Sequence, residues 1–156
     1  AEIREALGLA VGTKLLLQVG RIGRVKQQHM VARALTQALR DDESLRLWFV
    51  GVVEDANYAI ELESVIAAAG VGERMRFLGP RMDVPDLLSA ADVYLMPSRS
   101  EAHPIALLEA MASGSPIVVS DAPSFGFAKG RDGIASVGMD DEEGLRKHAL
   151  EFAALD

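Results

Sequence analysis

Five apolar runs punctuate the chain, at residues 14–20, 45–53, 75–79, 92–97 and 116–120; each is short, rich in Leu, Val and aromatic residues, and nearly continuous. This pattern predicts parallel strands buried on both faces, because a sheet with one wet face would alternate apolar and polar positions. Between the runs, residues 26–40, 55–69, 84–90 and 104–113 carry apolar positions at helical spacing. A sixth short strand at 133–137 and a closing amphipathic helix at 141–155 continue the alternation. Strand and helix in turn predict an α/β fold, a single Rossmann-like doubly wound parallel sheet of about six strands. Gly70 and Gly114 stand where helices should end, and Pro104 where one should begin. Residues 121–132, with Pro123, Gly126, Gly130 and two phenylalanines, form the longest irregular segment and a candidate mobile loop.

Composition narrows the picture. With 156 residues, 49% hydrophobic and 25% charged, one globular domain over residues 1–156 is expected. A formal net charge of -7 leaves no basic field to hold a phosphate polymer or an anionic membrane, so nucleic acid is not an expected partner. The absence of cysteine excludes disulfides, thiolate metal sites and cysteine nucleophiles, and fits a cytoplasmic location. No apolar run approaches the roughly 20 residues that span a bilayer, so no membrane contact is expected from this domain. The amphipathic, acidic start at residues 1–9 is unlike a signal peptide. The chain opens at Ala1 rather than at a methionine and stops at Asp156 just after a helical pattern, so a fragment of a longer protein is expected.

In open sheets of this type, ligands bind outside the carboxyl ends of the strands. The first strand ends in Val19-Gly20-Arg21-Ile22-Gly23-Arg24-Val25-Lys26, which packs two glycines and three cations into one strand-to-helix turn. Glycine lets backbone approach a ligand, a helix N-terminus offers free N–H groups, and Arg and Lys can neutralise a diphosphate without a metal. The alternative is a solvated basic turn. The spacing matches neither the dinucleotide-binding Gly-x-Gly-x-x-Gly nor a P-loop.

The fourth strand leads into Arg99-Ser100-Glu101-Ala102-His103 and then into a helix in which, from Pro104 to Ala112, Glu109 is the only polar side chain. A helix apolar on nearly all sides is expected to be buried, and a carboxylate inside it needs a cation or a hydrogen-bond donor. Glu109 is therefore either half of an internal ion pair or a carboxylate facing a cleft, where a ribose diol is a familiar partner. Glu101, about one turn earlier, shares a loop with the N–H groups of residues 102–105, or else caps the helix. His103 belongs to the same loop in a secondary role. His29 and His148 are expected at the surface. The three histidines are too scattered for a metal site, and the pairs Asp41-Asp42 and Asp140-Asp141 read as helix ends or caps.

Together these segments resemble the retaining glycosyltransferases of two-domain GT-B architecture, the group that contains sucrose synthases, bacterial glycogen synthases and mannosyltransferases. Val19-Gly20-Arg21-Ile22-x3-Lys26 resembles the group's first-strand Gly-Arg-Leu-x3-Lys motif. Phe77-Leu78-Gly79 resembles the strand before its base-binding turn. Pro97-Ser98-x2-Glu101-x2-Pro104-x3-Leu108-Glu109-Ala110-Met111-Ala112-x-Gly114-x-Pro116 is similar to its Glu-x7-Glu signature nearly residue for residue.

The resemblance implies that this chain is the donor half of such an enzyme, that Gly20, Arg21 and Lys26 hold the diphosphate of a nucleotide sugar, and that Glu109 holds the ribose. Glu101, with Ala102, His103, Pro104 and Ile105, would contact the transferred sugar, with Leu108 beside the nucleotide and Arg81 flanking the base. Catalytic work would fall to Glu101, Arg21 and Lys26, with no cofactor and no metal. An N-terminal acceptor domain would be the partner that closes the cleft and carries any peripheral membrane contact. Two departures stand out: Gln27 replaces the glycine that usually follows the lysine, and Ala102 the glycine that usually follows the first glutamate. A non-catalytic nucleotide-sugar-binding module and an epimerase-like domain remain as alternatives.

Overall fold

The computed structural model describes residues 1–155; Asp156, the last residue of the expected domain, lies outside them. Six strands, β1 Lys14–Val19, β2 Leu45–Val50, β3 Met75–Gly79, β4 Val93–Met96, β5 Ile117–Ser120 and β6 Ile134–Val137, form one sheet. All five pairings are parallel, in the order β3-β2-β1-β4-β5-β6. The helices are α1 Glu2–Ala6, α2 Gln28–Asp41, α3 Ala56–Ala69, α4 Val84–Ala90, α5 Ile105–Ser113 and α6 Glu142–Ala153. This is the expected single Rossmann-like sheet. No helix among the described residues is long and apolar enough to cross a membrane.

The continuous apolar runs have a direct cause. Successive strand residues point to opposite faces, and both faces are covered. Leu16, Leu47, Phe49, Leu95 and Val118 pack beneath α2, α3 and α6, with Leu35, Leu62 and Leu145 as the helical counterparts. Leu15, Leu17, Trp48, Tyr94 and Val119 pack on the other side against α4 and α5, through Leu87, Leu88, Leu107 and Ala110. Each Leu, Val or Phe side chain among them stabilises the fold by about 1.5–3 kcal/mol when fully buried.

Local signals act as expected at several ends. Gly70 and Gly114 take the left-handed conformation that closes α3 and α5. Asp55 and Asp141 cap α3 and α6 by accepting from the N–H of Tyr58 and Gly144. Asp42 ends α2 and accepts from the Ser44 N–H at 2.8 Å.

Four features differ from expectation. The amphipathic start folds into α1, anchored where Arg4 donates to the Ala90 carbonyl and pairs with Asp92 at 3.3 Å. Strand β2 stops at Val50, because the next residue, Gly51, has φ 151°, although pairing resumes between Ile22 and Val53. Helix α2 begins at Gln28 rather than at Lys26: residues Arg24–Lys26 form a tight 3₁₀ turn, and Gln27 breaks the spiral with φ 59°. Residues 121–132 are irregular but anchored, with Phe125 and Ala128 buried and a series of turn bonds from Ala122 to Arg131.

His29 is a further correction. Rather than lying at the surface, it is half-buried at the junction of α2 and α3, where its main-chain N–H donates to the Tyr58 hydroxyl at 2.9 Å. The same hydroxyl lies 2.6 Å from Nδ1, so a neutral imidazole accepts there while the phenol donates. Burial, followed by the nearby Arg33 and Arg24, holds the His29 pKa below its ordinary 6.5. Tyr58 is fully buried, which pushes its own pKa up.

Two predictions follow from this frame. Because the folded chain holds His29 below 6.5, the unfolded chain takes up the proton first as pH falls. Stability is therefore full above that value and declines below it, through the lowered folded pKa. Melting curves of wild type and His29→Asn should differ in slope below pH 6.5 and run parallel above it; parallel slopes throughout would refute the assignment. The second concerns Gly51, where a Cβ would lie 1.8 Å from the Gly20 carbonyl oxygen. Gly51→Ala must push the ends of β1 and β2 apart, and denaturant titration should register a loss of about 2 kcal/mol or more.

Candidate functional site

The strand order reverses between β1 and β4: from β1 the chain crosses to α2 on one face, and from β4 to α5 on the other. The two connections diverge, and a crevice opens between them at the carboxyl ends of the strands. They are tied together where the Arg99 N–H donates to the Val25 carbonyl at 2.8 Å. The crevice is a cavity of about 490 Å³ whose lining includes Gly20, Arg21, Lys26, Glu101, Ala102, His103, Pro104 and Ile105. Both motifs read from the sequence therefore meet at one place, although 75 residues separate Lys26 from Glu101.

Their central contact is an ion pair between Lys26 Nζ and Glu101 Oε1, with the side chains only 20% and 9% exposed. Glu101 is thus neither a solvated loop carboxylate nor a helix cap. Its Oε1 also accepts from Ser98 Oγ at 3.1 Å. Ser98 is fully buried; its carbonyl accepts from Ser120 Oγ at 2.5 Å, and Ser120 Oγ in turn accepts from the Ala122 N–H at 3.3 Å. A chain of hydrogen bonds thereby runs from Ala122, the second residue after β5, through Ser98 to the ion pair of Lys26. Nearby, the buried Tyr94 hydroxyl donates to the Val19 carbonyl at 3.0 Å.

The three cations of the first turn separate. Lys26 faces the cavity. Arg21 lies at its rim, 69% exposed and 3.7 Å from Glu54, a separation and exposure at which an ion pair contributes little and leaves the guanidinium available. Arg24 turns outward, held by Glu61 at 3.0 and 2.9 Å and stacked 5.1 Å over the Tyr58 ring. Gly20 faces the aliphatic stem of Lys26: a Cβ there would lie 3.7 Å from its Cδ.

At the second motif, no side chain caps the N-terminus of α5. Of the donors expected at residues 102–105, Pro104 has no N–H, and Ile105 donates to the His103 carbonyl at 2.8 Å. The amides of Ala102 and His103 remain. The His103 side chain sits in an exposed residue at the cavity edge.

Three expected residues lie outside the cavity lining. Arg81 donates to both carboxylate oxygens of Asp83, at 2.8 and 2.6 Å. Leu108 and Glu109 are exposed on α5. The expectation of a buried helix is thereby corrected: α5 buries only Leu107 and Ala110, while Ile105, Leu108, Glu109 and Ala112 form an open stripe at helical spacing. Glu109 has no ion pair among the described residues. An all-apolar helix does not distinguish a face packed on a core from a face kept for a partner or ligand.

Sequence reasoning missed Glu54, Ser98, Ser120 and Gln18. Glu54 follows β2 and arrives at the site only through the β1–β2 pairing. Gln18, a polar break in the run of leucines of β1, was the one visible signal. A second cleft of about 550 Å³ lies at the opposite, amino ends of β5 and β6, where the loops at 114–116 and 130–133 meet the C-terminal end of α5, and Arg131 and Asp132 are the charged residues of its lining. No cluster of three or more His, Cys, Asp or Glu that could hold a metal occurs among the described residues.

Against the D-inositol 3-phosphate glycosyltransferase of Nocardia farcinica the chain is 34% identical over 146 residues, covering 88% of this chain and 32% of that protein. The chain spans about a third of the length of the curated relatives it matches. Anabaena HepE, solved in complex with UDP-glucose, superposes with a TM-score of 0.82 at 25% identity, over 96% of this chain and 41% of that one. The C-terminal domain of LpcC, a group 1 family protein from Francisella tularensis, superposes at 0.86 over 99% of this chain and 82% of that one, and at 18% identity shares the fold. The family model described as glycosyl transferases group 1 matches residues 1–128, and on that match the chain belongs to the glycosyl transferases group 1 family.

Proposed function

We propose that this chain is the donor half of a retaining glycosyltransferase, which moves a hexosyl group from a nucleoside-diphosphate sugar to an acceptor hydroxyl. The observation that carries this reading is the meeting of Lys26 and Glu101, with Arg21 at the rim, in one crevice at the switch point of the sheet. The likeness to HepE, whose structure holds UDP-glucose, supports a nucleotide sugar as the ligand. In this reading the acceptor is held by an N-terminal domain outside this chain, and the coverage of 32% of the Nocardia farcinica relative leaves room for one. By itself the chain binds nucleotide and does not turn over.

In this reading the diphosphate replaces the Glu101 carboxylate as the partner of Lys26. As the bond between the anomeric carbon and the phosphate oxygen breaks, its electron pair stays on the diphosphate. Lys26, Arg21 and the free amides of Ala102 and His103 stabilise that charge without a metal. Released from Lys26, Glu101 accepts hydroxyls of the transferred sugar, with Ala102, Pro104 and Ile105 shaping the pocket and His103 at its edge. Glu109, on the open stripe of α5, takes the ribose diol beside Leu108, and Arg81 flanks the base.

Calorimetric titration with UDP, GDP and ADP in the absence of divalent cations tests the reading. One of the three should bind, and Lys26→Ala and Glu109→Ala should each weaken it about tenfold, the size of one lost charge-assisted hydrogen bond. No binding of any of them at millimolar concentration would refute it. The roles of Lys26 and Glu101 can be separated further. Glu101→Gln removes the anion that competes for Lys26, so affinity for the free diphosphate should rise by about threefold. Affinity for the intact nucleotide sugar should not rise in parallel, because the sugar loses an acceptor; equal effects on both ligands would contradict the division of roles.

A further inference from the structure

Three buried glutamines surround the first turn, and each donates through Nε2 to a main-chain carbonyl. Gln18, 3% exposed in β1 at the centre of the sheet, donates to the Lys26 carbonyl at 2.8 Å. Gln28, at the start of α2, donates to the Arg21 carbonyl at 3.0 Å. Gln27 donates to two carbonyls, Pro97 at 2.6 Å and Met139 at 2.8 Å, which belong to the connections after β4 and β6. Since every acceptor is a carbonyl, the amide nitrogen must be the facing atom in each case.

Two observations set these side chains apart from ordinary packing. Among the described residues Gln27 is the one non-glycine residue with positive φ, a conformation that disfavours a side chain by about 1 kcal/mol. Gln18 and Gln28 each leave a buried Oε1 without a partner, a penalty of about 1–3 kcal/mol per group. Position 18 lies among Leu15, Leu16, Leu17 and Val19, where an apolar residue would fit the strand pattern without that penalty. The property that an apolar residue lacks is the bond to Lys26. The Lys26 ammonium can keep one place only if the backbone that carries it is fixed, and neutral amides fix that backbone without adding a charge that would cancel the positive field of the turn.

We propose that Gln18 and Gln27 are positioning residues of the donor site, clamping the backbone of Lys26 to the strand beneath it and to the connection that carries Glu101; the proposal rests on the donor-site reading above. Gln28 holds the Arg21 end of the same turn.

The test uses Gln18→Met, which keeps length and shape and removes the donor, and Gln27→Gly, which keeps the left-handed backbone and removes the side chain. Affinity is measured for the nucleoside diphosphate that binds wild type, by calorimetry, and for the parent nucleoside, by NMR shift titration. Each variant should bind the diphosphate about tenfold more weakly, the effect expected when the support of a site is lost, and the nucleoside as wild type does. In a Lys26→Ala background the loss from Gln18→Met should vanish. An unchanged diphosphate affinity, an equal loss for the nucleoside, or a loss that persists without Lys26 would overturn the proposal while leaving the donor site intact. Should Gln18→Met fail to fold, Gln27→Gly decides by the same ratio. A wild-type chain that binds no diphosphate would overturn the donor-site reading, and this proposal with it.

Discussion

The ion pair between Lys26 and Glu101 bridges the connections after β1 and β4, and the crevice is organised around it. Each partner sits in the first residues after a strand, one after β1 and the other after β4. The two strands are neighbours although β2 and β3 come between them in sequence. A pair of opposite charges this well shielded from water is favourable only when further hydrogen bonds satisfy its remaining polar atoms. Ser98 provides one for the carboxylate, and Ser120 fixes Ser98 from behind.

Beneath that pair lies a polar floor in an otherwise apolar sheet. Gln18, Ser98 and Ser120 are almost fully buried; Gln18 and Ser120 stand where the strand pattern would accept an aliphatic residue, and Ser98 lies two residues past β4. Gln18 and Ser120 hold main-chain carbonyls, and Ser98 holds the Glu101 carboxylate. Polar groups buried in this way weaken a fold unless they are bonded, and two of the glutamine oxygens are not. Local agreement between propensity, pattern and packing breaks down at this end of the sheet, as expected where a site has been built into a stable frame.

Helix α5 illustrates a limit of pattern reading. Its residues are apolar all round apart from Glu109, and burial is the usual consequence of such a sequence. In the structure one side meets β4 and β5 through Leu107 and Ala110, while Ile105 and Leu108 remain open on the side that carries Glu109. The residues that belong to the core and those left exposed are chemically alike, so their periodicity could not separate them. A similar limit applies to Arg21, Arg24 and Lys26. All three appear equivalent in sequence, but the 3₁₀ turn sends Arg24 to Glu61 and Lys26 to Glu101.

By itself the sequence determined the parallel sheet and its six strands, the ends of most helices, and the two segments that make up the site. Those properties are local: apolar runs, capping residues and motif spacing act over a few neighbouring positions. Only the tertiary structure decided that Lys26 and Glu101 meet, that Glu54 reaches the rim, that Glu109 is exposed, and that Gln27 adopts a left-handed backbone and bridges two other connections. These follow from strand order and from the direction of each crossover, which bring Gln27 and Met139, 112 positions apart, within hydrogen-bonding distance. Local pattern carries no information about such pairs until the sheet has assembled.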